Sequence, residues 1–277
     1  MIFKTKGKLT MVSACLAFLG FLFILPSAYA EENLQSMLKE VAEKVGAIED
    51  VKNNLSLNEE DKKTKELQTR KDALSKIFDL TLLEDNDLKK KLAGIKNLNE
   101  SEKKIKINLI ANLEENGNAY SEMKSRLKEA NSIAAVKQLA IDFKNWRNLV
   151  YNPKVEKIIS FTLVFQQKKT LDTAQQRLEK IKLDLEKLEG AKLIKMEETA
   201  NLLNKAGNGL SRANELNKQA ELIFLKNINE DDLRQNDAQI EEAATPKTLV
   251  EESLKEIKNA YKIFIDIGNL VKAKIAK

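Results

Sequence analysis

Along nearly the whole chain after residue 31, apolar residues recur at steps of three and four, with charged residues filling the gaps. This is the period of α-helices that each bury one stripe and wet the rest. Leu34, Leu38, Val41, Val45 and Ile48 form one such seam and predict a first helix over about Glu32 to Asn53. Ser56 and Glu59 have the spacing of a capping box for a second helix. That helix carries Leu67, Leu74, Ile77 and Phe78 and is expected to end near Leu83. A short helix over Asp87 to Ala93 is closed by Gly94. Asn99 and Glu102 make another capping box, and the helix they open turns Ile105, Leu109 and Leu113 inward before Gly117 stops it. Tyr120, Met123, Leu127 and Ala130 form the next turn set. Ser132 then starts a helix with Val136, Ala140, Phe143, Trp146 and Val150.

The longest uninterrupted pattern follows Pro153. Leu171, Ala174, Leu178, Ile181, Leu185 and Leu188 alternate steps of three and four, the heptad rule of knobs-into-holes packing. From Pro153 to Glu189 such a helix is about 55 Å long at 1.5 Å per residue, and Gly190 stops it. Leu193, Met196, Ala200 and Leu203 continue on a shorter helix ended by Gly207, with Asn208-Gly209 as a turn. Leu210, Ala213, Ala220 and Ile223 carry another. Asn227 to Ala244 is acidic and polar and reads as a linker or a weak helix. A last helix runs from Pro246 towards Ala276. Pro153 and Pro246 each follow a good N-cap residue, Asn152 and Thr245, and proline at the first helical position loses no hydrogen bond.

Strand signals are nearly absent. The prediction is therefore an all-α protein, an elongated helical bundle with coiled-coil-like long helices. Residues 31–151 form an N-terminal helical region; 152–277 form a long-helix region and C-terminal helix expected to pack with it. The heptad run covers fewer than three heptads, which suits packing inside its own bundle better than an oligomeric coil.

Residues 1–30 have the pattern of a cleavable export signal. Lys4, Lys6 and Lys8 make a positive head without an acid. Met11 to Leu25 is apolar or small apart from Ser13, Pro26 breaks the run, and Ala28-Tyr29-Ala30 supplies the small-x-small cleavage site. A retained membrane anchor is the alternative, but the apolar run falls short of the roughly 20 residues that span a bilayer. Cys15 lies inside that run rather than after it, so a lipoprotein box does not fit. Localisation is expected outside the cytoplasm: periplasm, cell surface or extracellular space. The mature chain is expected not to span a membrane, with peripheral contact left open.

Composition then removes function classes. Basic residues exceed acidic ones by 47 to 42, and the leader takes three of the lysines, which leaves the working chain close to balance. Its charges alternate in sign, as in Arg177-Leu178-Glu179-Lys180, the pattern of a solvated helix face rather than a nucleic-acid stripe. The chain contains no histidine, and Cys15 is its only cysteine. Ser-His-Asp and Cys-His catalysis, Glu-x-x-His di-iron sites and ordinary zinc centres are excluded. No phosphate-cradling glycine motif occurs. No cofactor and no metal site is expected, and the protein reads as a non-enzyme, with a hydrolase built on carboxylates alone left open.

Candidate binding residues lie where the aromatics cluster. Phe143, Trp146, Arg147, Tyr151, Phe161 and Phe165 flank the Asn152-Pro153 turn. Trp and Arg are favoured anchors of interfaces, so these six are the candidate interaction site. A packed junction in the bundle interior is the plainer alternative. Ile158 to Phe165 is the most apolar segment after the leader; being apolar all round, it suits a helix buried on every side better than a membrane-inserting one. The last helix, with Tyr261, Phe264, Val271, Ile263, Ile267 and Leu270, docks into the bundle or lies on an anionic surface. The acidic pairs Glu114-Glu115, Glu197-Glu198 and Glu251-Glu252 point apart on a helix and read as solvated faces.

The stretch from about Ser132 to Leu188, with Asp142-Phe143-Lys144-Asn145-Trp146-Arg147 and Asn152-Pro153, resembles segments of uncharacterised exported all-helical proteins of small-genome bacteria. The resemblance covers roughly a quarter of the chain. It implies an all-helical exported protein, and it carries no activity or site residue. The expected role is noncatalytic: structure or protein interaction in the cell envelope or extracellular space, through a protein partner or self-association and without nucleic acid. A periplasmic holdase-type chaperone and a membrane-active helical toxin are the alternatives.

Overall fold

A computed structural model describes residues 28–231 and 245–276, with side chains from 35 to 228 and from 245 to 276. Most of the export signal and the acidic segment after Asp231 lie outside the described residues; Ala28 and Ala30 fall in the backbone of the first helix. The elements are α1 (Ala28–Asn53), α2 (Glu59–Gly94), α3 (Glu100–Glu129), α4 (Ile133–Trp146), a π-helical turn (Arg147–Tyr151), α5 (Asn152–Gly190), α6 (Glu197–Asp231) and α7 (Pro246–Ile275). No strand occurs among the described residues, and the fold is all-α.

The caps explain most helix starts. Asn99 N–H donates to Glu102 Oε2 and Glu102 N–H to Asn99 Oδ1, both at 2.9 Å, which is the expected reciprocal box. Asn99→Ala is expected to lower unfolding free energy by about 1 kcal/mol, checked by urea melts followed by circular dichroism; an unchanged midpoint would show that the box is idle. Ser132 Oγ accepts from Ala135 N–H, and Thr245 Oγ1 accepts from Thr248 N–H, each at 3.2 Å. The Ser56-Glu59 box does not form. Asn58 caps α2 instead, its Oδ1 accepting from Asp61 N–H at 2.8 Å, while Ser56 bonds to Asn54. Helix ends are closed by lysines reaching from elsewhere: Lys71 Nζ donates to the carbonyls of Lys128 and Ala130, and Lys106 Nζ to those of Ala93 and Ile95.

Several expected breaks are absent. Helix α2 runs on through Leu83, α3 through Gly117, and α6 through Gly207 and the Asn208-Gly209 pair to Asp231. An interior glycine costs a helix about 1 kcal/mol against alanine, and packing of the buried stripe on either side outweighs it. Gly190 does end α5, yet the residue that takes the left-handed conformation there is Lys192, at φ 58°. Asn152 does not cap a new helix at Pro153: its dihedrals are helical, and its N–H donates to Arg147 carbonyl five residues back. The wider π turn removes the clash that the proline ring would make with the carbonyl four residues before it.

The chain divides into two compact units: residues up to Lys90 with Ile110–Asn152, and Lys91–Leu109 with Pro153–Lys277. In the first, Leu74 and Phe78 of α2 pack with Tyr120, Met123 and Leu127 of α3 and Val136, Leu139 and Phe143 of α4. In the second, the heptad seam of α5 is buried within the chain. Leu171, Ala174, Leu178 and Leu185 meet Leu203, Ala206, Leu210 and Ala213 of α6 and Ile257, Ala260, Phe264 and Ile267 of α7. Small residues facing each other let these helices approach closely, and α7 docks along α6 as expected. Gln167 Nε2 donates to Ser253 Oγ, which donates to Ala213 carbonyl, both at 2.6 Å, and this buried chain of bonds links all three helices.

Candidate functional site

The six aromatic-junction residues fall into two groups. Phe143, Trp146, Arg147 and Tyr151 belong to the first unit, and Phe161 and Phe165 to the second. Trp146 stacks on Tyr151 and on Phe143, with centroids 5.5 and 5.9 Å away, and meets Tyr120 edge-on at 5.3 Å. Phe161 and Phe165 instead pack on each other at 4.4 Å and on Phe224 of α6. Phe143, Arg147, Tyr151, Phe161 and Phe165 are all buried, while Trp146 is half-buried. No residue from Lys157 to Phe165 is exposed, which accounts for a segment apolar all round. The acidic pairs stand on exposed faces. Lys168 ties Glu102 at 3.1 Å to Glu221 at 2.8 Å and sits 4.6 Å over the Phe165 ring, a structural clasp in the second unit.

Chemistry unforeseen from the sequence lies in the seam of the first unit. One buried stripe of α2 holds Leu74, Phe78, Thr81, Asp85 and Leu88, in steps of four, three, four and three. Those of α3 are Leu113, Asn116, Tyr120, Met123 and Leu127, in steps of three and four. The inward positions of α4 and the π turn are Val136, Leu139, Phe143, Arg147 and Tyr151. Each seam turns polar at one place, and those places meet. The extra residue in the π turn carries Tyr151 inward, where an unbroken α-helix would have turned Val150; Val150 is exposed.

Within this polar layer Arg147 Nη1 donates to Thr81 Oγ1 and to Glu84 Oε2, each at 2.9 Å. Thr81 hands on a bond to Ile77 carbonyl. Tyr151 Oη donates to Glu84 Oε2 at 3.3 Å, and the guanidinium lies 4.6 Å from the Tyr151 ring centre. Asp85 is 2% exposed, and neither carboxylate oxygen has a hydrogen-bond partner. The hydroxyls of Tyr151 and Tyr120 and the amide of Asn116 face it without closing a bond on it; Tyr120 Oη and Asn116 Nδ2 are themselves unpartnered. Burial pushes the Asp85 carboxyl up to about 6, with Glu84 adding to the rise against the pull of Tyr151, Tyr120 and Asn116. Burial and the same carboxylates push both phenols upward, so they stay protonated.

No group of three or more metal-capable side chains occurs among the described residues, and the polar layer offers two carboxylates at most. No protein-family model, curated protein or solved structure matches the chain.

Proposed function

We propose that the protein is an exported, noncatalytic helical protein that acts in the cell envelope or extracellular space by protein interaction. The observation that carries this reading is where polar and apolar groups sit. Asp85 and Glu102, the buried acids among the described residues, are shut off from solvent, and a general acid or nucleophile must reach its substrate. Apolar side chains, in contrast, are exposed in the turn that follows half-buried Trp146: Leu149 is 78% exposed and Val150 is also exposed, and Ile141 is exposed on α4. Exposed aliphatic side chains in the turn that follows an aromatic residue suit a protein contact. No helix among the described residues is long and apolar enough to cross a membrane, and the leader pattern of residues 1–30 supports an exported location.

Expression of the full chain in a bacterial host is expected to yield an exported product beginning at Glu31. Crosslinking of that product in intact cells is expected to give discrete higher-mass species that Leu149→Glu removes. A product that keeps Met1 and stays in the cytosol contradicts export. An exported product without crosslinked species contradicts the interaction reading. Suppression of client aggregation would favour a holdase, and dye leakage from liposomes a membrane-active toxin.

A further inference from the structure

The polar layer places an acid where a helical seam normally holds a leucine. Polar groups at such positions fix which layers meet, but that role needs neutral or fully paired groups. Thr81, Glu84, Arg147 and Tyr151 are paired with one another. Asp85 is not, and its neighbour in sequence, Glu84, is a second carboxylate already joined to Arg147. The groups that face Asp85 are Glu84 on its own helix, Asn116 and Tyr120 on α3 and Tyr151 on the π turn, with Arg147 engaged by Glu84 and Thr81. Burial without a closed hydrogen bond suits a neutral carboxylic acid, against the pull of the facing hydroxyls and amide, which are donors. An ionised one would be strongly unfavourable until Tyr120, Tyr151 and Asn116, which face it, shift to close hydrogen bonds on it.

We propose that Asp85 is the proton site of an acid-sensing switch: with a proton taken from solvent onto the carboxylate the polar layer is closed, and with that proton released the layer loosens at the π turn. The π turn is the movable part, because it supplies both Arg147 and Tyr151 and its backbone bonds are one residue out of α-helical register. Histidine is the usual carrier of such a response, and this chain has none. A transition in the weakly acidic range therefore has no ordinary imidazole source, and it falls to a carboxyl raised by burial.

The chain carries its own reporter. Trp146 is the single tryptophan and contacts both Tyr120 and Tyr151. Emission of the purified full chain is expected to shift to the red as pH rises through about 6, while helical content stays constant. Asp85→Asn should hold the acid-form spectrum at every pH. Tyr120→Phe keeps the ring contact but removes a hydroxyl that favours the charged form, so its midpoint should move upward. A flat wild-type emission, or a transition that survives in Asp85→Asn, overturns the proposal. If Asp85→Asn does not fold, Tyr120→Phe decides: a raised midpoint supports the switch, and an unmoved one overturns it.

Discussion

Phe161→Ala is expected to lower unfolding free energy by about 3 to 5 kcal/mol, the largest effect of any single substitution considered for this chain. Phe161 is fully buried, and its ring tilts against Phe165 at 4.4 Å and Phe224 at 5.7 Å. Truncation removes the transfer energy of the ring and leaves a cavity between α5 and α6 that the surrounding helices close only in part. Aromatic contacts of this geometry add about 1 kcal/mol beyond buried area. Trp146 lies in the other unit, so the melt is followed by far-ultraviolet circular dichroism rather than fluorescence. A loss under about 1 kcal/mol would mean that the helices collapse onto the site far more completely than packed interiors usually do.

Asp85→Asn is expected to act in the opposite direction and to stabilise the protein at neutral pH. The folded carboxyl titrates at about 6 and the unfolded one near 3.8, so the folded chain binds this proton more tightly. That stabilisation is complete below the unfolded value and is lost as pH rises through about 6. Two units at 1.36 kcal/mol each make the loss about 3 kcal/mol. The asparagine variant keeps an uncharged side chain of the same shape throughout. The difference in stability between variant and wild type should therefore grow by about 3 kcal/mol from acid to neutral pH, because groups common to both cancel. A difference that does not vary with pH would show Asp85 to be solvated in the folded state.

Much of the fold was legible because burial follows periodicity. The Leu171 to Leu188 steps marked the seam that α6 and α7 cover, the Asn99-Glu102 box opened α3, and Thr245-Pro246 opened α7. Glycine was over-read as a stop. Gly117 and Gly207 have helical neighbours on both sides, and a local propensity near 1 kcal/mol is small beside a buried stripe. The aromatic window was legible as a cluster, but a linear window does not separate residues that belong to two packing units, as Phe143 and Trp146 do from Phe161 and Phe165.

The Asp85 layer was hidden for a physical reason. Tracing apolar residues alone ends the α2 seam at Leu83, because Thr81 and Asp85 occupy the next inward positions. Continuing the steps of four and three from Leu74 through Phe78 reaches Thr81, Asp85 and Leu88, and the same steps from Leu113 reach Asn116 and Tyr120. Polar residues in phase with a seam were the available signal. The π turn left none, since Asn152-Pro153 has the look of a cap and a first helical position.

The most direct test is the titration of the Asp85 carboxyl carbon by NMR in the full chain, assigned through Asp85→Asn. A midpoint at about 6 is the expected result and places a neutral acid in a closed polar layer. A midpoint at the ordinary aspartate value near 3.8 would contradict it, because a carboxylate that ionises so readily must already be paired or in water.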